Sequence, residues 1–436
     1  MARVVIIGAG SGFGSRLSID ILARPSLADS TIALCDIHEG RLRQVHDYVQ
    51  RAIDVHGLPG RVVAGTCREE LLPEADCVVT AVSVGGPAYW GEPYRSEVEI
   101  PLRYGVVQTV ADTVGVGGVF RFLRTAGQHL QFARDMERLC PEAIMLNYTN
   151  PMCMLTWLHS VGSSIHNVGL CHSVQSTTKK LAGAVGAAYE DVSYLVAGIN
   201  HQAWVLKLRR GKEDLYPRLR EILDTHEAFA EDRVRAEMMR QFGYFVTEST
   251  RHNSEYLPYF NRTPELREQY GVVSSAPIPM ENTRVRAWMK DSGVDSQGDE
   301  EIPPLAPSHE YASMIIEARL TGTPFAFNGN MMNHGSITNL PERCCVEVPC
   351  LADAEGIHPT YVGALPAQCA AMNMSNIAVQ ELAVQAVLER DREAAFHACA
   401  LDPLTAAVVP LPRIREMFEE LWVAEGDRLA YFDQEE

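Results

Sequence analysis

The apolar run Val4-Val5-Ile6-Ile7 passes directly into Gly8-Ala-Gly-Ser-Gly-Phe-Gly-Ser15, and no other feature constrains the fold as much. A strand that ends in a glycine-rich turn and opens into a helix presents backbone N–H groups, and the positive helix end, to a pyrophosphate. A second apolar run, Thr31-Ile-Ala-Leu-Cys35, ends in Asp36, about where a ribose-binding carboxylate belongs. The pattern predicts a dinucleotide site, with Gly8, Gly10, Ser11 and Gly12 at the phosphates and Asp36 at the ribose. Asp36 can accept both ribose hydroxyls but repels a 2′-phosphate, which favours NAD over NADP. The third glycine of a strict G-x-G-x-x-G would fall at Phe13; Gly12 and Gly14 flank it.

Strand and helix patterns alternate through roughly the first 190 residues. After the turn come helical periodicity over 16–23 and 40–56, a strand near 61–64 and a buried strand over 77–84 broken by Gly85-Gly86-Pro87. A helix over 118–139, a strand over 143–147, a helix after Pro151 and a strand over 167–171 follow. Such alternation implies a parallel sheet with helices on both faces and ligands at the carboxyl ends of the strands. Beyond residue 190 the pattern changes to a hairpin over 191–208, interrupted by Gly198-Ile-Asn-His201, and a Pro-, Gly- and charge-rich excursion over 262–308. Helices are expected over 310–320, 368–389 and 403–424. The fold class is therefore α/β: a Rossmann-like, doubly wound parallel sheet of the lactate/malate-dehydrogenase kind, over residues 1–190. A C-terminal α+β domain over 191–436 is expected to carry substrate, metal and oligomer contacts.

A formal charge of −18 over 436 residues argues against nucleic acid or an anionic membrane as partner. No stretch of about 18 uncharged apolar residues occurs, and the first residues start a strand instead of a secretion signal, so a cytoplasmic protein is expected. The eleven cysteines have no C-x-x-C spacing and read mostly as inert core residues.

Two segments depart from that background. Gly169-Leu-Cys-His-Ser173 and Gly198-Ile-Asn-His-Gln-Ala-Trp204 each place a metal-ligating side chain at a strand end on the predicted cofactor face. Cys171 and His201, a thiolate and an imidazole, suit a divalent transition metal. Two protein ligands leave coordination positions open, which is useless for structural zinc but suits chelation of vicinal substrate oxygens. Asn147-Tyr-Thr-Asn-Pro-Met152 lies at another strand end, where a turn explains it or its asparagines orient sugar hydroxyls. Asp112 precedes a glycine turn, and Glu248, His252, Glu255 and Tyr256 crowd one segment that a solvated loop would also explain.

Taken together, these motifs resemble the NAD- and divalent-metal-dependent glycosidases of glycoside hydrolase family 4. The resemblance runs from residue 3 to about 410. It takes in the N-terminal turn, Asp112–Gly118 with Arg121–Thr125 behind it, Asn147–Met152, Gly169–Ser173 and Gly198–Trp204. It continues through Asn333-His-Gly-Ser-Ile-Thr-Asn-Leu-Pro341, Val346-Glu-Val-Pro349 and Gly363-Ala-Leu-Pro366. The run 171–175 and the segment 243–256 look most like the melibiase-type α-galactosidases. Members acting on 6-phosphosugars carry an arginine just before the Val-Gly-Gly turn; here the position is Ser83, which cannot neutralise a dianion, so an unphosphorylated sugar is implied.

The resemblance implies a chemistry outside the paired-carboxylate scheme of most glycosidases. NAD⁺ takes hydride from C3 of the sugar, the C2 proton becomes acidic, and Mn²⁺ or a similar ion bound by O2 and O3 stabilises the charge. The aglycone then leaves C1 by elimination, water adds, and NADH returns the hydride. On this resemblance Cys171 and His201 are metal ligands, and Gly8, Gly10, Ser11, Gly12, Asp36 and Ser83 line the cofactor. Asn147, Asn150 and Asn200 contact the sugar. Tyr256 is the C2 base, and His172 or Asp112 assists the leaving group. A homodimer or homotetramer is also implied. Alternatives within the family are an α-glucuronidase, α-galacturonidase or α-glucosidase. Alternatives outside it are an NAD-dependent 2-hydroxy-acid dehydrogenase and a non-catalytic NAD-binding sensor.

Overall fold

The computed structural model describes residues 1–86, 91–277 and 305–433. Six short strands form the parallel half of its sheet: β1 (Arg3–Ile7), β2 (Thr31–Cys35), β3 (Arg61–Gly65), β4 (Cys77–Thr80), β5 (Ile144–Asn147) and β6 (Asn167–Gly169). Their order, β3-β2-β1-β4-β5-β6, is that of the doubly wound dinucleotide fold. The runs Val4–Ile7, Ile32–Cys35 and Cys77–Thr80 are buried throughout, as strands covered by helices on both faces must be. Helices α1 (Gly12–Leu22), α2 (Glu39–His56), α3 (Arg68–Leu71), α4 (Tyr94–Arg103), α5 (Gly115–Leu139), α6 (Met152–Gly162) and α7 (Ser173–Ala184) supply that cover.

The sheet does not stop at residue 190. Hairpin β7 (Val192–Ile199) and β8 (Gln202–Arg210), with short β9 (Glu213–Asp214) and β10 (Phe245–Val246), joins strands β11 (Phe325–Met332), β12 (Cys345–Asp353) and β13 (Gly356–Pro359) beside β6. Pairing Asn330 with Gly169 and Glu347 with Gly198 stitches the two halves together. One line of paired residues therefore crosses nine strands: Cys35, Ile7, Thr80, Asn147, Gly169, Asn330, Glu347, Gly198 and Ala203. The segments carrying Asp36, Cys171 and His201 all leave the sheet just beyond it.

Among the described residues the remaining α-helices are α8 (Tyr216–Ile222), α9 (Arg233–Phe242), α10 (Thr250–Tyr256), α11 (Pro264–Tyr270), α12 (Ala312–Thr321), α13 (Ala367–Glu389), α14 (Arg392–Leu401), α15 (Pro403–Val408) and α16 (Leu411–Glu425). Val4, Phe122, Val348, Ala383 and Phe418 belong to one continuous apolar core, so both halves of the chain fold around it.

Several boundaries differ from expectation. The strand expected over 77–84 ends at Thr80, because Gly85 and Gly86 take positive φ and turn the chain away; Pro87 lies outside the described residues. The helix expected over 403–424 is split into α15 and α16. Pro410 disfavours helical geometry at the residue before it, and Val409 is extended. Of the excursion expected over 262–308, residues 264–270 form α11 and 278–304 lie outside the described residues.

Candidate active site

At the end of β1, Gly8 and Ala9 donate to the Cys35 carbonyl at 2.8 and 3.0 Å, closing the turn against β2. Asp36 accepts from the Gly10 amide and the His38 amide, both at 2.8 Å, so its carboxylate is fixed beside the turn. A Cβ on residue 10 would stand 2.8 Å from Asp36 Oδ2, so only glycine lets the carboxylate approach. A Cβ on residue 14 would collide with the Ala9 carbonyl. Gly14 thus performs the close-packing task of the third glycine, one position after the strict spacing. Gly12 opens α1. Ser11 Oγ is buried with no hydrogen-bond partner among the described residues, and the first turn of α1 carries no acidic residue. An orphaned hydroxyl at an uncompensated helix N-terminus fits a phosphate.

Beyond β6, Cys171 Sγ lies 3.4 Å from His201 Nε2, which the β7–β8 turn delivers. Glu248, between β10 and α10, completes a cluster with these two whose ligand atoms all lie within 4.8 Å of one another. Thiolate, imidazole and carboxylate make a donor set for a divalent transition ion with open positions for substrate. Burial pushes the Cys171 thiol up to about 11 and lowers His201, so the imidazole is neutral, with a lone pair for a cation. A cation there would displace the thiol proton.

Around this cluster the supporting bonds are short. Thr113 Oγ1 lies 3.3 Å from His201 Nδ1 and donates to Asp112 Oδ1 at 2.7 Å. His252 bridges Glu248 (3.0 Å) and Asp112 (3.5 Å), and its ring stands edge-on to that of His201. Asn150 Nδ2 donates to Asp112 Oδ2 at 3.1 Å. His201, Glu248 and Ala111, the residue before Asp112, have left-handed φ of 61°, 72° and 58°. Non-glycine residues held there cost on the order of 1–3 kcal/mol each and concentrate at functional sites. Glu255 accepts from the amides of Val110 (2.9 Å) and Ala111 (3.2 Å), which anchors that strained segment; burial raises its carboxyl to about 7.

Three of the expected site residues are already engaged by neighbouring groups. Tyr256 is fully buried and its hydroxyl donates to the Asn200 carbonyl at 2.9 Å. Burial, reinforced by Cys153, Asp112, Glu248 and Glu255, pushes the phenol well above its ordinary range. In this arrangement Tyr256 braces the turn carrying His201. Asn147 is also fully buried, and its amide is consumed by Thr80 and Thr149, which leaves nothing to offer a sugar. Asp112 is buried; burial lifts its carboxyl, but His252, Arg121 and His201 outweigh that and hold it well below the usual range. A carboxylate so held orients Thr113, Asn150 and His252 around it.

The other expected residues fall as follows. His172 is 59% exposed and 3.7 Å from Glu310. Asn200 is fully buried beside His201, with both side-chain polar atoms unpartnered among the described residues. Ser83 Oγ is likewise buried and unpartnered, in the turn after β4. Sequence reasoning placed Glu248 and His252 only in a crowded loop, and it did not single out Glu347. That carboxyl is fully buried without a hydrogen-bond partner among the described residues; burial, and then Cys171, push it well above its ordinary range.

Residues 3–187 match the model of the family 4 glycosyl hydrolases, and residues 196–405 match the model of the C-terminal domain of that family. The chain belongs to family 4 of the glycosyl hydrolases. Among characterised members it is 39% identical to an α-galactosidase of Bacillus subtilis, over 98% of this chain and 99% of that one. An α-galactosidase of Rhizobium meliloti is 33% identical over 99% of this chain and 89% of its own. An α-galacturonidase of Thermoanaerobacter italicus is 27% identical over 96% and 95%. The fold matches a solved Bacillus subtilis structure described as a glucosidase, with a TM-score of 0.84 at 26% identity, covering 96% of this chain and 99% of that one. It also matches a 6-phospho-α-glucosidase of gut microorganisms in complex with NAD and Mn²⁺, with a TM-score of 0.74 at 20% identity, covering 98% of each. This family 4 glycosidase has, among its described residues, no helix long and apolar enough to cross a membrane.

Proposed function

We propose that the enzyme hydrolyses unphosphorylated α-galactosides by transient oxidation of the sugar, using NAD and a divalent cation such as Mn²⁺. The observation that carries this reading is the Cys171–His201–Glu248 cluster, at the end of the same sheet whose first turn fits a dinucleotide. The full-length likeness to two α-galactosidases supports the sugar. When bound, NAD⁺ supplies an oxidant for C3, and the divalent ion supplies a Lewis acid for the charge that develops when C2 loses its proton and the C1 substituent is eliminated; water addition and re-reduction restore the sugar.

The chain's own residues do the rest. Gly10, with no side chain, lets the pyrophosphate approach the turn, Ser11 offers it a hydroxyl, and Asp36, fixed by the Gly10 amide, receives the ribose. Cys171, His201 and Glu248 hold the cation, while Thr113 at Nδ1 fixes the His201 ring so that Nε2 faces it. Asn150, oriented by Asp112, presents its amide to a sugar hydroxyl. His252 lies between the Glu248 and Asp112 carboxylates, which hold the ring in its charged form, so it orients Glu248 toward the cation; the C2 proton stays assigned to Tyr256, whose hydroxyl must first leave the Asn200 carbonyl. To His172, exposed and 3.7 Å from Glu310, we assign protonation of the departing aglycone. Ser83 offers a neutral hydroxyl in the turn after β4, which suits a sugar without a phosphate. All eleven cysteines are unbridged, which fits a reducing cytoplasm.

The test is a screen of p-nitrophenyl α-galactoside, α-glucoside, α-galacturonide and α-glucuronide with NAD⁺, Mn²⁺ and a thiol reductant. Cleavage of the galactoside without build-up of NADH is expected. Preference for a uronide would move the assignment to the α-galacturonidase branch. Stoichiometric NADH from a 2-hydroxy acid, with no glycoside cleaved, would overturn it.

A further inference from the structure

Away from the cation cluster, a second group of buried charges touches the turn after β4. Arg124, on α5, donates through Nη1 to the Val84 carbonyl and grips Glu97 of α4 with Nε and with Nη2, the latter at 3.1 Å from Oε2. The side chains of Arg124 and Glu97 are 1% and 0% exposed. Glu425, the last residue of α16, is fully buried beside them, and neither of its oxygens has a hydrogen-bond partner among the described residues. Arg428, just past the helix end, approaches Glu425 at 4.0 Å and reaches toward Gly85. Tyr431 donates to the Leu123 carbonyl at 2.7 Å, which pins the same end of the chain to α5.

The turn held in this way borders the dinucleotide site. Ala81 donates to the Ile7 carbonyl at 2.9 Å, and Val82 donates its amide to Thr149 at 3.0 Å. A Cβ on Gly8 would run into the Ala81 carbonyl and come within 2.8 Å of Val82. The Ala81–Val82 segment, which leads into the Ser83–Gly86 turn, therefore stands directly against Gly8 of the glycine turn.

We propose that Arg124, Glu97 and Glu425 form a positioning device, by which the end of the last long helix sets the Val84 turn against the cofactor and so controls NAD affinity. The inference rests on NAD being the cofactor, as proposed above. Two buried carboxyl groups face one buried guanidinium, and the second cation, Arg428, is 35% exposed and no nearer to Glu425 than 4.0 Å. The charged groups facing Glu425 are Glu97 from α4, Arg124 from α5 and Arg428 from the C-terminal turn. Helix α14, also packed on α16, pairs with it earlier, through Arg392 with Glu419 and Glu393 with Arg415. Burial, and then the Glu97 charge, raise the Glu425 carboxyl to about 8. Below that pH Glu425 is neutral and the clamp is closed. Above it two buried carboxylates compete for Arg124, offset only by the more exposed Arg428, and the grip on the turn loosens.

Calorimetric titration of the full-length protein with NAD⁺ tests this without turnover. Arg124→Met is expected to weaken binding at least tenfold while cooperative unfolding persists. Wild-type affinity is expected to fall several-fold from pH 7 to pH 9, and Glu425→Gln, which keeps the neutral form at every pH, is expected to remove that fall. Binding by a folded Arg124→Met variant within twofold of wild type, or an identical pH profile in Glu425→Gln, would overturn the proposal. So would a flat wild-type profile. If Arg124→Met does not fold, the Glu425→Gln profile decides. Failure of the wild-type protein to bind NAD⁺ at any pH would count against the cofactor assignment instead.

Discussion

Replacing Glu248 by Gln removes one negative charge from the cation cluster and little volume. The ligand atoms of Cys171, His201 and Glu248 lie within 4.8 Å of one another. At about 4 Å and an effective dielectric constant of about 20, a unit charge and a divalent ion attract by about 8 kcal/mol. Desolvation of the buried carboxylate offsets several kcal/mol of that. A net loss of about 3 kcal/mol is expected, equivalent to roughly 100-fold in affinity. The amide also keeps only part of the 3.0 Å contact with His252, so the ring loses an anionic partner. Titration of Mn²⁺ into the variant, followed by electron paramagnetic resonance of the free ion, reads the affinity. Circular dichroism and a melting curve confirm that the left-handed residue at 248 still folds. Mn²⁺ binding within twofold of wild type by a folded Glu248→Gln protein would refute the assignment of Glu248 as a ligand.

Cys171→Ser and His201→Ala should each abolish Mn²⁺-dependent turnover; glycoside cleavage surviving in either would contradict the ligand pair. Tyr256→Phe should lower stability by about 1 kcal/mol through loss of the bond to the Asn200 carbonyl, and lose exchange at C2; exchange persisting in the folded variant would take the base role from Tyr256. Gly14→Ala should destabilise the protein by about 1–3 kcal/mol in denaturant titrations, because the added methyl meets the Ala9 backbone; an unchanged midpoint would show that α1 can move. His129 and His159 are buried neighbours, 3.1 Å apart through Nδ1 and Nε2. Burial depresses both, His159 to about 3. Since the unfolded chain binds those protons below about pH 6.5, stability should fall as pH drops, by about 1.4 kcal/mol per pH unit for each ring; His159→Asn should reduce that slope by about one ring's share.

Much of the cofactor site was legible in the sequence because it is local. A strand, a glycine turn, a helix and a carboxylate at the next strand end follow one another along the chain, and the bond from Gly10 to Asp36 joins neighbouring strands. Gly14 shows the limit even there: which glycine meets the Ala9 carbonyl depends on where the helix starts. Cys171 and His201 were legible by chemical type at two strand ends. Glu248 was not, because its place is fixed by β10 pairing with β8, a contact with no mark in local spacing. The same cause explains Tyr256 and Asn147. A tyrosine or an asparagine reads as available in a sequence, and only packing from distant segments shows that its polar atoms are already committed. The helix split at Pro410 is legible in the sequence, where the proline stands between two apolar repeats and disfavours helical geometry at Val409.

The central claim is that a carbon–hydrogen bond at C2 is broken and remade during hydrolysis. Running the reaction in D₂O with NAD⁺ and Mn²⁺ and recording the proton spectrum of the released galactose tests it directly. The account predicts deuterium at C2 in the product, with no net NADH formed. Galactose released at full rate with its C2 proton intact would contradict it.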